Sequence, residues 1–118
     1  MELKHFSKDG DPQIDWVNVD MNALQMLDNA REISGVPYQI TSNHRTAEED
    51  MALAGFTGAH VEIPCTAFDI YCPNATMAHA ILRGCFAAGF PRVGYNAKNG
   101  HVHVDCSKVL PNNVFWIE

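Results

Sequence analysis

No stretch of this chain is apolar for long enough to cross a membrane, since a spanning helix needs about 20 predominantly apolar residues. Nor does an apolar segment follow Met1-Glu2-Leu3-Lys4-His5, so the start does not read as a secretory signal. Synthesis and folding in a cytoplasm are therefore expected, with action elsewhere following release. Basic clusters are missing too: 8 Lys and Arg face 14 Asp and Glu, for a net charge of −6, which argues against a nucleic-acid partner. No Cys-x-x-Cys pair occurs among Cys65, Cys72, Cys85 and Cys106. Without a secretion signal these four read as reduced, mostly buried thiols rather than a disulfide framework. Cys65 and Cys106 lie near histidines in sequence and are minor candidates as metal ligands. There is no internal repeat and no low-complexity segment. What remains is 118 residues, 47% hydrophobic and 19% charged, which suits a single domain spanning 1–118 with its own core.

The start, up to Val19, is irregular, with a turn signal at Asp9-Gly10-Asp11-Pro12 and Phe6, Ile14 and Trp16 available to pack as an arm. Asp20 then serves as the N-cap of a helix whose Ala23, Leu24, Leu27 and Ala30 form one apolar stripe. Gly35 ends that helix and Pro37 prevents its resumption. A short strand over Tyr38–Ser42 follows. Thr46 and Glu49 match a capping box, predicting a helix over Ala47–Ala54. Gly55 and Gly58 bracket a loop that delivers His60. Ala67–Tyr71 reads as a mostly apolar, central strand. Asn74 caps a second long helix over Ala75–Ala88, closed by Gly89, with His79 on its surface. Val93–Tyr95 is a third strand, joined by a tight connection over 96–100 to a fourth, which makes that pair antiparallel. The tail, with Phe115 and Trp116, is expected to pack back on the body. This order predicts a small α+β domain: an antiparallel-containing sheet with helices packed against it.

The fourth strand carries the chemistry. In Gly100-His101-Val102-His103-Val104-Asp105-Cys106 the residues alternate, so His101, His103 and Asp105 share one face and Val102 and Val104 the other. Two imidazoles and a carboxylate on one face are costly to bury without something to bind, and zinc takes both ligand types. Asp69, a carboxylate inside an apolar strand, needs a partner for the same reason. A zinc peptidase site needs three protein ligands, a group that manages protons and often a cation for a substrate carboxylate. His60, Asp69 and His103 are candidate ligands. His101 points the same way as His103 and is a candidate to assist the attacking water or the developing oxyanion. Arg45, at a strand end, is a candidate to grip a carboxylate in bidentate fashion.

Three segments resemble the zinc D-Ala-D-Ala carboxypeptidases and related endolysin peptidases, which share a fold with the Hedgehog signalling domain. Ile40-Thr41-Ser42-Asn43-His44-Arg45-Thr46 is similar to that family's strand ending in Ser-Gly-Tyr-Arg-Ser/Thr; Ala67-Phe68-Asp69-Ile70 is similar to its Ala-x-Asp-Ile. Val93-Gly94-Tyr95 followed by His101-Val102-His103-Val104-Asp105 resembles its closing strands with His-x-His-x-Asp. The resemblance implies Arg45 as the substrate-carboxylate arginine, Asp69 and His103 as zinc ligands, and His101 as the histidine that assists catalysis. The chain departs from the pattern in one spacing: His60 precedes Asp69 by nine residues where the family has seven, and counting back seven from Asp69 lands on Glu62. Either the loop carries two extra residues and His60 is the ligand, or Glu62 takes the slot. His60 is preferred, because Gly58-Ala59-His60 resembles the family's approach to its histidine and loops absorb insertions. Asn43-His44 stands where the family has Gly-Tyr, which makes His44 a possible extra substrate contact, and Cys65 stands in place of a glycine.

The expected function is zinc-dependent hydrolysis of peptide bonds in peptidoglycan stem peptides, in phage-type lysis of the cell wall or as part of a phage particle. The alternative is a metal-bearing, non-catalytic domain that binds murein or serves a virion as a structural piece.

Overall fold

The computed structural model describes residues 2–54 and 58–118. Gly55, one of the two expected bracketing glycines, lies outside the described residues. The first helix, α1, spans Met21–Ser34, with the Asp20 side chain accepting from Ala23 N and Gly35 in the left-handed conformation that closes it. After a three-residue strand β1, Ile40–Ser42, helix α2 occupies Ala47–Ala54. Its capping box forms as the spacing predicts: Thr46 N donates to Glu49 Oε1 at 2.9 Å and Glu49 N to Thr46 Oγ1 at 3.2 Å. One turn of 3₁₀ helix, Ala59–Val61, carries His60. Strand β2 is Phe68–Tyr71, and helix α3 is Ala75–Ala88, capped by Asn74 at its start and Gly89 at its end. Strands β3, Arg92–Asn96, and β4, His101–Asp105, form the expected hairpin.

The tail does more than pack back. Val114–Ile117 forms a fifth strand, β5, which pairs in parallel with β3. The result is a mixed five-stranded sheet in the order β1-β2-β4-β3-β5, antiparallel except at its β3–β5 edge. The α+β class is as expected.

Strand alternation divides this sheet into two faces. Phe68, Ile70, Val93, Val102 and Val104 are fully buried on one, together with Leu24 and Leu27 of α1 and Ile81 of α3. That face is the hydrophobic core. The other face receives the residues between them: Asp69 on β2, His101, His103 and Asp105 on β4, Arg92, Gly94 and Asn96 on β3, and Trp116 on β5. Register aligns them in rows. Asp69 is opposite His103, and His103 is opposite Gly94, which is opposite Trp116. His101 is opposite Asn96, and Asp105 is opposite Arg92. The cysteines are free thiols, three buried and Cys106 partly so. Burial raises their pKa values, to about 12 at Cys85 and about 11 at Cys65 and Cys106.

Candidate metal centre

Three donors meet on the polar face of the sheet. Ligand atoms of His60, Asp69 and His103 all lie within 4.8 Å of one another. Two imidazole nitrogens and a carboxylate oxygen this close together are a donor set that could share one ion. His103 Nδ1 is 3.1 Å and His60 Nε2 3.3 Å from the same oxygen, Asp69 Oδ1. The two rings meet edge to face with centroids 5.1 Å apart.

The far side of each ligand is already engaged. The Asn43 carbonyl accepts a hydrogen bond from His60 Nδ1, so the proton sits there and Nε2 carries the lone pair. That Nε2 is buried and has no aligned hydrogen-bond partner. Asp105 Oδ2 lies 2.6 Å from His103 Nε2; an ionised carboxylate only accepts, so Nε2–H donates and Nδ1 faces the cluster. Asp69 Oδ2 accepts from Arg45 Nη2 at 2.9 Å, which leaves Oδ1 turned to the two imidazoles. An orphaned buried nitrogen, a second imidazole nitrogen and a carboxylate oxygen therefore converge with their outer atoms tied. Histidines fixed by a carbonyl and by a carboxylate are the usual support of a metal site, and these residues fit one.

The electrostatics show what the cluster does without a cation. Burial alone would raise the Asp69 carboxyl, but its bond with His103 outweighs that and holds it well below the usual carboxylate range. Burial likewise opposes charge on His103, yet the bonds to Asp105 and Asp69 win and push its pKa up to about 9. A proton on His103 Nδ1 then faces Asp69 Oδ1 at 3.1 Å. Asp105 is also held low: burial raises it, and His103, Ser107 N and Arg92 more than compensate.

A second layer of charges braces this centre. Arg45 donates from Nε to Ser42 Oγ at 3.0 Å, from Nη1 to Asp50 Oδ1 at 3.0 Å and from Nη2 to Asp69. Buried Asp50 also accepts from Gly58 N at 2.6 Å, tying α2 to the turn that carries His60. Arg45 N in turn donates to the His60 carbonyl at 2.9 Å. On the other side, Arg92 Nε lies 2.9 Å from Asp105 Oδ1 as an ion pair without hydrogen-bond alignment. Its guanidinium sits 5.2 Å from the centroid of the Trp116 ring.

The centre lies in a cleft of about 860 Å³. Leu53 and Ala54 of α2 line one part of it, and Trp116 and Glu118 another; Arg45, His101 and the three candidate ligands also line it. Trp116 lies across β3 only because residue 94 is glycine. A Cβ there would come within 2.4 Å of the indole Cε2.

Of the sequence candidates, His60, Asp69 and His103 are brought together, with Arg45 against Asp69 and His101 in the same cleft. Glu62 is elsewhere, accepting from Ser107 Oγ at 2.5 Å and Lys108 N at 3.2 Å. His44 does not line the cleft; its Nδ1 is 3.3 Å from Asp15 Oδ2, on the irregular N-terminal segment. Neither Cys65 nor Cys106 belongs to the cluster. Sequence reasoning missed Arg92, Asp50, Asn43 and the cleft role of Trp116. Arg92 was within reach, because counting back through the tight hairpin pairs it with Asp105.

Comparison with known proteins gives one result. The sequence model of a family described as Peptidase M15 matches residues 2–105. No curated protein and no solved structure matches the chain.

Proposed function

The chain belongs to the peptidase M15 family, a family of metal-dependent peptidases, and from that premise we propose that it is a zinc peptidase hydrolysing peptide bonds in peptidoglycan stem peptides. The observation that carries this reading is the convergence of His60 Nε2, Asp69 Oδ1 and His103 Nδ1, each tied on its far side. Two imidazoles and a carboxylate form a donor set that zinc takes in catalytic sites with an open position. When bound, zinc would supply Lewis acidity, activating a water and polarising the scissile carbonyl.

The remaining roles belong to side chains. Asp105 keeps the proton of His103 on Nε2, and Asn43 keeps that of His60 on Nδ1, so both rings present lone pairs. His101 is the proposed proton carrier: its imidazole takes a proton from the attacking water or donates to the oxyanion that develops. Arg45 has five N–H groups and commits three of them, to Ser42, Asp50 and Asp69. The other two are proposed to hold a substrate carboxylate. The setting we propose is phage-type lysis, supported by the resemblance of the Ile40–Thr46 and His101–Asp105 segments to endolysin peptidases.

A His101→Ala variant tests the assignment. It is expected to retain zinc and to hydrolyse purified murein 10²- to 10⁴-fold more slowly than the unmodified protein. Wild-type rates in that variant would remove His101 from the reaction.

A further inference from the structure

Among the described residues, the charged side chains of the cleft are paired with one exception. Arg45 meets Asp50 and Asp69, and Arg92 meets Asp105. Among the described residues, Glu118 lines the same cleft with no basic partner within 4.0 Å. Its carboxylate is nevertheless held. Asn96 Nδ2 donates to Oε2 at 3.0 Å, Trp116 Nε1 donates to Oε1 at 3.1 Å, and its own backbone N–H donates to the Tyr95 carbonyl at 2.9 Å. Neutral donors fix the position of a carboxylate without cancelling its charge, and each oxygen keeps a further lone pair.

Its place relative to the metal centre follows from the register. Asn96, which holds one oxygen, is the cross-strand partner of His101. Trp116, which holds the other, has its ring centroid 5.4 Å from that of His103. Glu118 thus stands one indole away from the candidate ligands, on the His101 side of the cleft. The adjoining Arg92 does not answer its charge, being committed to Asp105 and, through Nη1, to the Pro111 carbonyl.

We propose that the β5 side of the cleft is a subsite for an ammonium group of the substrate, received by Glu118 beside the indole of Trp116. A compact ammonium can pair with a fixed carboxylate and contact an aromatic ring at once. This rests on the peptidase reading and narrows its substrate class to peptides with a free side-chain amine on a diamino acid near the cleaved bond. Trp116 and Glu118 lie outside residues 2–105, which the family model matches.

The test uses a stem peptide containing lysine and the same peptide with that Nε amine acetylated, offered to the zinc-loaded protein. The free-amine peptide is expected to be the better substrate by roughly twofold to fivefold in kcat/KM, mainly through KM, as befits an exposed ion pair. Raising salt should shrink the ratio. Glu118→Gln should bring it close to one, and Glu118→Lys should invert it. Equal use of both peptides by the unmodified protein, or an unchanged ratio in Glu118→Gln, overturns the subsite. If neither peptide is cleaved, the peptidase reading fails separately, and direct titration of both peptides into the zinc-loaded protein decides the subsite. Tighter binding of the free amine that is lost in Glu118→Gln supports it, and equal binding overturns it.

Discussion

A buried imidazole nitrogen without a hydrogen-bond partner is expensive, and His60 Nε2 is one. The cost is met if the lone pair is used, which makes His60 the most informative residue of the site. His60→Ala and Asp69→Asn should each abolish stoichiometric zinc binding, as measured by metal analysis after dialysis, whereas Glu62→Gln should keep it. Asp105→Asn should weaken zinc affinity by about 10- to 100-fold, because it loosens the orientation of His103 without removing a ligand. The pH dependence of the metal-free protein follows from the same contacts. The folded pKa of His103, about 9, lies above its ordinary value near 6.5. Its stabilisation is therefore fully present below about pH 6.5 and lost as pH rises through about 9. Asp69 and Asp105 are depressed, so theirs is present above about pH 4 and lost on acidification. Denaturant titration of chelator-treated protein should show lower stability at pH 9.5 than at pH 6, by something on the order of 1–3 kcal/mol. Zinc, by replacing the proton on His103 Nδ1, should remove most of that alkaline loss.

At the scale of elements, the hairpin of β3 and β4 positions the site, and its alternation was legible because one face is wholly apolar. The caps of α1, α2 and α3 were legible for a similar reason: Asp20, Thr46 with Glu49, and Asn74 satisfy orphan N–H groups locally. Long-range consequences were less readable. Val114–Ile117 is only four residues after a Pro-Asn-Asn segment, so it looked like a packing tail, and nothing local marks it as the parallel partner of β3. Asp50 likewise sits in an acidic first turn that reads as dipole compensation, while its contacts with Arg45 and Gly58 depend on tertiary placement. Gly94→Ala tests the placement of β5. A Cβ would enter the space of the Trp116 ring, so tryptophan fluorescence should shift and β5 should lose protection from hydrogen exchange before the rest of the sheet does. An unchanged spectrum and exchange pattern would contradict the close approach. Leu27→Ala, in the α1 face of the core, should cost about 2–5 kcal/mol without altering which residues hold the metal.

The whole molecule is a sheet with a division of labour between its faces. One face buries Phe68, Ile70, Val93, Val102 and Val104 with the two long helices; the other carries every candidate ligand borne on a strand. A one-residue slip of β4 would exchange the two sets, so the apolar face enforces the register that makes the site. His60 alone comes from a turn, and its spacing to Asp69 was the least legible part of the site. The 3₁₀ turn and loop that bring His60 to the cluster are anchored from outside by Asn43, Arg45 and Asp50. Because metal binding favours the folded state, saturating zinc should raise the unfolding midpoint by several degrees, and chelation should return it. The most direct measurement is amine release from purified murein while zinc is titrated into metal-free protein. Hydrolysis should rise in proportion to added zinc and level off at one equivalent. A fully zinc-loaded protein that releases no amine would contradict the assignment of this cleft as a peptidase site.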